Sequence, residues 1–203
     1  MKTGYHHGNL RQALVEASLA LIADKGPTGF TLSEAAKAAG VTPAAVYRHF
    51  AGRDDLIAEV ARQGFDIFAA LMEFAYNGGK PSALAAFEAT GRAYLAFARK
   101  YPGHYMAMCE SGLNLNAHPD LALVAGKARA VLERAAERLS LHMPAAKRPP
   151  ATMFSAHIWA LSHGVVELFM RGNGAQSPYT PEDLLETGIG IYLRGLGLLP
   201  PDR

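Results

Sequence analysis

Apolar residues recur at helical spacing along almost the whole chain. Leu10, Ala13, Leu14, Ala17 and Leu21 fall at i, i+3, i+4, i+7 and i+11, which predicts an amphipathic helix ending near Asp24. Lys25-Gly26-Pro27 breaks it. A longer helix is predicted from Asp54 through Leu56, Val60, Phe65, Phe68 and Leu71 to about Tyr76. Asp54 and Asp55 lie in its first turn, where acids complement the helix dipole, and Asn77-Gly78-Gly79 ends it. A further helix is predicted over 81–101 on Leu84, Phe87, Tyr94, Leu95 and Phe97, stopped by Pro102-Gly103. Residues 104–112 read as a short helical or irregular piece, and residues 121–141 as another long helix. Met143 to Pro150 is the clearest linker. The stretch 151–171 is apolar all round, so it should be buried on more than one side. It is too short and too interrupted by His and Glu to cross a membrane. A loop over 172–179 leads to a last helix capped by Thr180 and running through Leu184, Leu185, Ile189, Tyr192 and Leu196. Glycines at 188, 190, 195 and 197 cost that helix propensity and suggest close backbone packing. No strand pattern is visible, so the fold class is all-α.

The stretch 30–53, FTLSEAAKAAGVTPAAVYRHFAGR, reads as two short helices around a tight turn. Thr31 with Glu34 three residues on forms a capping box. Gly40 ends the first helix by adopting a left-handed conformation at low cost. Thr42 is placed to cap the second helix, with Pro43 at its first position. Leu32, Ala35, Ala36, Val41, Val46 and Phe50 supply an inward face, which leaves Ala44, Ala45, Tyr47, Arg48 and His49 outward. Two readings fit this pattern: a helix-turn-helix that meets DNA, or an ordinary αα-hairpin with a polar end.

Charge favours the first. Net charge is only +2, yet residues 1–53 carry +3 and residues 54–203 carry −1. A basic head on a near-neutral body suits a DNA-binding module joined to something that does not touch DNA. Residues 1–9 lack periodicity and read as a mobile arm with Lys2, His6 and His7, either reaching phosphates or merely frayed. The N-terminus has no apolar signal core and the chain has one cysteine, which together point to a cytoplasmic protein. The eight histidines show no ligand spacing, so neither a metal nor another cofactor is expected. Cys109 sits among apolar residues, where a thiol is inert. No nucleophile elbow, phosphate loop or dinucleotide fingerprint occurs, and nothing supports catalysis.

GVTPAAVYRHFAGRDDL, residues 40–56, resembles the recognition-helix signature of the TetR family of bacterial transcriptional regulators. The residues that carry the likeness are Tyr47, His49, Phe50, Arg53, Asp55 and Leu56. The resemblance implies a DNA-binding head over 1–53, a body over 54–203 and double-stranded operator DNA as partner. On that reading Thr31 and Thr42 position phosphates, while Ala44, Ala45 and His49 face base edges. Tyr47 and Arg53 address the backbone, and Arg48 serves either, at a position where the family often has an aromatic residue.

The body resembles a TetR subgroup named for a tryptophan, histidine and glycine, here Trp159, His163 and Gly164 in HIWALSHGVVEL. The resemblance implies a homodimer whose last two helices pair, with Ile158, Val165, Leu184, Gly188, Ile191 and Tyr192 at the interface. It also implies a pocket for a small hydrophobic or amphipathic effector. Phe87, Tyr94, Met106, Met108, Cys109, Trp159 and His163 supply apolar walls with few polar groups, the usual form of such a site. The same residues also fit a plain core. Two functions therefore stand: an effector-released repressor, and an architectural DNA-binding dimer with a filled body.

Overall fold

In the computed structural model, which describes residues 10–170 and 176–200, the periodic segments are helices throughout. They are α1 (Leu10–Lys25), α2 (Leu32–Ala38), α3 (Pro43–Val46), α4 (Arg53–Tyr76), α5 (Ala83–Lys100), α6 (Pro102–Cys109), α7 (Pro119–Ser140), α8 (Ala151–Met170) and α9 (Pro181–Gly195). No strand occurs among the described residues, and no helix there is long and apolar enough to cross a membrane. The basic arm with Lys2, His6 and His7, and residues 172–175 of the expected loop, lie outside the described residues.

Packing divides the chain into two units, Met1–Ile67 with Lys100–Ala125, and Phe68–Arg99 with Gly126–Arg203. This division cuts α4 after Ile67, whereas the boundary expected from function lies near its start.

In the first unit α1 buries Leu10, Leu14, Val15 and Ile22 against Phe30, Ala35, Ala36, Val46, Phe50, Leu56 and Val60. The buried face is therefore turned toward Val15 and Ile22, with Ala13, Ala17 and Leu21 at its margin. Buried Ser18 is satisfied by donating to the Leu14 carbonyl at 2.7 Å. Pro102 and Gly103 do more than end α5. Pro102 opens α6, where a missing N–H is no loss. A Cβ on Gly103 would come 2.7 Å from the Leu19 carbonyl oxygen, so only glycine lets α6 pack this closely on α1.

The second unit is built on aromatic contacts. Phe68 meets Tyr94 edge-on at 5.4 Å and Phe97 at 5.1 Å between ring centroids. Phe154 lies between Phe87 at 5.4 Å and Tyr192 at 5.6 Å. The segment expected as a linker is tied down: Met143 is buried, and Arg148 donates to the Met143 and Leu141 carbonyls at 2.9 and 3.1 Å. Thr180 and Asp183 close a capping box at the start of α9. The glycines of α9 do not pack closely within the chain. Gly197, at φ +73°, closes the helix, and a Cβ on Gly195 would meet open space.

Candidate functional site

The head begins with a complete capping box. The Thr31 hydroxyl accepts from the Glu34 backbone N–H at 3.2 Å, and Glu34 Oε2 accepts from the Thr31 backbone N–H at 2.8 Å. Lys25 adds an ion pair to Glu34 at 2.7 Å. Hydrogen bonds from Lys25 and from Thr31 hold the Glu34 carboxyl down at about 2. Gly40 takes φ +72° as the turn requires, and Val41 donates back to the Ala36 carbonyl at 2.9 Å. The next helix differs from expectation. Thr42 makes no side-chain cap bond, and α3 is a single turn, prolonged by the bonds from Arg48 to the Ala45 carbonyl and from His49 and Phe50 to the Val46 carbonyl. One turn cannot hold itself. Val46 and Phe50, both fully buried, hold it instead.

Those two anchors decide what faces out. Pro43, Ala44 and Arg48 are exposed, and Tyr47 is 61% exposed. Ala45 and His49 are half-buried, with Ala45 packed on the core, so Ala45 is not the free base-facing residue it was expected to be. Thr31, Tyr47 and Arg53 share one open depression of about 510 Å³ with Ser33, which the sequence reading missed. Arg53 is committed within the chain. It donates to the Thr28 carbonyl at 3.1 Å and lies 3.6 Å from Asp54.

The residues expected around the effector separate into two groups. Met106, Met108 and half-buried Cys109 belong to α6 in the first unit, where both methionines pack against the core that carries the head. Phe87, Tyr94 and Trp159 come together in the second unit, around a cavity also lined by Thr90, Leu132, Ser155 and Ser162. Its volume is about 10 Å³, room for one water at most. Trp159 closes it by donating to the Tyr94 hydroxyl at 3.1 Å, while remaining 49% exposed. His163 lies along the outside of the indole, 5.9 Å between ring centroids. His157 points away from both, with Nδ1 2.9 Å from the Tyr192 hydroxyl. A larger groove of about 240 Å³ runs between α5 and α9, floored by Leu95, Leu185, Ile189 and Leu193. It was not legible in the sequence, because those residues read as ordinary core positions. Among the described residues no three of His, Cys, Asp or Glu converge where a metal ion could sit.

Comparison with known proteins decides what this architecture is. A model described as bacterial regulatory proteins of the tetR family matches residues 14–60. A second, described as the tetracyclin repressor-like C-terminal domain, matches residues 87–192, more than half of the chain. The chain belongs to the TetR family. This TetR-family chain is a DNA-binding transcriptional regulator and not an enzyme. It is 40% identical over 52 residues to the HTH-type transcriptional regulator BetI of Rhizobium meliloti, a match covering 26% of each chain. The chain thus spans about a quarter of that relative's length. A solved protein of unknown function from Rhodococcus sp. RHA1 has the same fold at 24% identity and a TM-score of 0.77, covering 96% of this chain and 98% of that one. AibR in complex with isovaleryl coenzyme A and operator DNA matches at 19% identity and a TM-score of 0.70, covering 90% and 97%.

Two of the expected dimer residues of this TetR-family regulator are corrected by burial. Ile158 and Val165 face inward on α8, both nearly inaccessible. The free apolar face of α8 is Met153, Leu161, Gly164 and Leu168, and that of α9 is Leu184 and Ile191, with Gly188 half-buried beside Leu161. Tyr192 is half-buried, held to His157.

Proposed function

We propose that this regulator represses transcription as a homodimer on a near-palindromic operator and is released by a small hydrophobic or amphipathic effector. The observation that carries the proposal is the recognition segment itself. Buried Val46 and Phe50 anchor α3, while Ala44, Tyr47 and Arg48 face solvent, and the Tyr47 and Arg48 side chains make no hydrogen bond to the described residues. Ala44 offers base edges apolar contact only, for example to a thymine methyl, whereas Arg48 reaches either a guanine edge or a phosphate. Thr42, with its hydroxyl unused by the chain, is placed for a phosphate.

Dimerisation is supported by the apolar stripe of Met153, Leu161, Leu168, Leu184 and Ile191, which forms one exposed face on two successive helices. An unfilled apolar face of that extent on a folded domain marks an interaction surface. Two heads in one dimer meet half-sites about one helical turn apart. An effector is supported by AibR, a protein of the same fold that was solved with isovaleryl coenzyme A and operator DNA.

One observation favours the rival reading, an architectural dimer: the cavity at Trp159 is nearly full. On the repressor reading that cavity opens as the effector enters, and the bond from Trp159 to Tyr94 gives way. The test has two steps. Duplexes selected from a random pool on the wild-type protein should yield a near-palindrome. A thermal-shift screen over small hydrophobic compounds should then find at least one that both stabilises the protein and lowers its affinity for that duplex. Compounds that bind without changing duplex affinity, or no binding compound at all, would favour the architectural dimer.

A further inference from the structure

Glu59 is the one carboxylate counted among the buried residues of the described chain, 7% exposed in the second turn of α4. Burying a carboxylate is costly unless it is fully hydrogen-bonded. Here it receives four contacts from three residues on two helices. Arg62 donates from Nε and Nη2 at 3.0 and 2.8 Å, Gln63 from Nε2 at 2.9 Å, and Arg11 of α1 lies 3.0 Å away through Nη1. Gln63 also bonds Gln12 at 3.1 Å, a second link from α4 to α1. Burial alone would raise the Glu59 carboxyl, but the bonds from Arg62, Gln63 and Arg11 outweigh it and hold it at about 2.

The Arg11 guanidinium has a second contact. It sits over the Phe50 ring, 4.9 Å from the centroid. Phe50 is the last anchor of the recognition segment, and the one-turn helix before it has no side-chain cap. A chain of direct contacts therefore runs from Glu59 through Arg11 to the end of the segment that faces DNA. The core needs only an apolar residue at position 50. It does not need a guanidinium fixed over that ring by a buried charge on another helix.

We propose that Glu59 is a positioning residue for operator binding: by holding Arg11 over Phe50 it fixes the angle at which the recognition segment leaves the head. The inference rests on the DNA-binding reading of α3 and adds to it a residue that touches no DNA. An aligned segment matters for a specific site, where side chains must meet base edges. It matters little for a random duplex, where phosphate attraction dominates.

The test uses the full-length protein, a duplex selected on the wild type, and a random duplex of equal length. Glu59→Gln removes the charge at constant size. Arg11→Lys, at a half-exposed position, keeps the charge but loses the planar group and guards against a Glu59 variant that folds poorly. Each should weaken binding to the selected duplex roughly tenfold and leave random-duplex affinity and the salt slope unchanged. The double variant should bind like the weaker single, because both break one contact chain. Val60→Ala, a plain core variant of α4, serves as the stability control. Three results would overturn the proposal: wild-type affinity in both singles, losses that multiply in the double variant, or a loss in Val60→Ala of the same size at the same melting temperature. A salt slope lowered by about one in Arg11→Ala, which removes the charge altogether, would instead make Arg11 a phosphate contact, and that too rejects the positioning role. If the wild type selects no duplex, the DNA-binding reading and this inference fall together.

Discussion

Trp159 donates its indole N–H to the Tyr94 hydroxyl at 3.1 Å, and this one bond joins α8 to α5 across the cavity where an effector was expected. Trp159 is the sole tryptophan of the chain. Its fluorescence therefore reports on that contact without interference from other indoles. An effector that enters here must break the bond, so it should shift the emission in parallel with the loss of operator binding. Tyr94→Phe removes the bond at a cost of about 1 kcal/mol to the closed form, which should tighten effector binding about fivefold. An effector that releases DNA while leaving the emission untouched would place its site elsewhere, with the groove between α5 and α9 the next place to look.

Arg48 and Arg53 should separate by what else they do. The Arg48 side chain makes no hydrogen bond to the described residues, so Arg48→Ala should weaken operator binding without lowering the melting temperature. If Arg48 meets a phosphate, its removal also reduces the salt slope by about one. Arg53 donates to the Thr28 carbonyl, so Arg53→Ala should lower both the melting temperature and the affinity. Equal melting temperatures for the two variants would mean that the bond to Thr28 contributes nothing measurable.

Ile191 and Val165 form an informative pair, since both were expected at the dimer interface. Ile191 is 62% exposed, and Val165 only 6%. Ile191→Asp should give folded, helical monomers that no longer hold the operator. Val165→Asp should instead lose the fold, because it buries an unpaired charge at a cost of several kcal/mol. Light scattering together with circular dichroism distinguishes the two outcomes. A dimeric Ile191→Asp protein would move the interface off this face.

His104 is buried on α6, edge-on to Tyr101 at 6.0 Å, and burial lowers its pKa from the usual 6.5. The folded state thus binds a proton there less readily than the unfolded state. Stability is complete above about 6.5 and falls as the pH drops toward the lowered folded value. His104→Gln should flatten this part of the profile in equilibrium unfolding between pH 7 and pH 5. A profile as steep in the variant as in the wild type would assign the loss to other groups.

Local chemistry explains which features were legible beforehand. The capping box at Thr31 and Glu34 and the left-handed Gly40 depend on residues within four positions of each other, and both form as read. Thr42 looked like a cap for the same local reasons, yet its hydroxyl is unused, because α3 is held by burial of Val46 and Phe50. The inward turn of Ile158 and Val165 could not be read, since α8 is apolar on all sides and its pattern does not say which face meets its own chain. Met106 and Met108 suited a pocket by composition alone. Only the packing of α6 on α1, made possible by Gly103, puts them in the core that carries the head. Glu59 carried no motif at all. Its partners at 62 and 63 are local, but Arg11 lies on another helix.

The brevity of α3 has an evolutionary consequence. Its scaffold is two buried side chains, while Ala44, Tyr47 and Arg48 bear no part of the structural burden. Substitutions at those three positions can therefore be sampled with little penalty to folding, and on the proposed operator contacts this lets descendants of this chain acquire new target sites one residue at a time. Drift at Val46 or Phe50 has no such freedom, and the same few residues separate what can vary from what cannot.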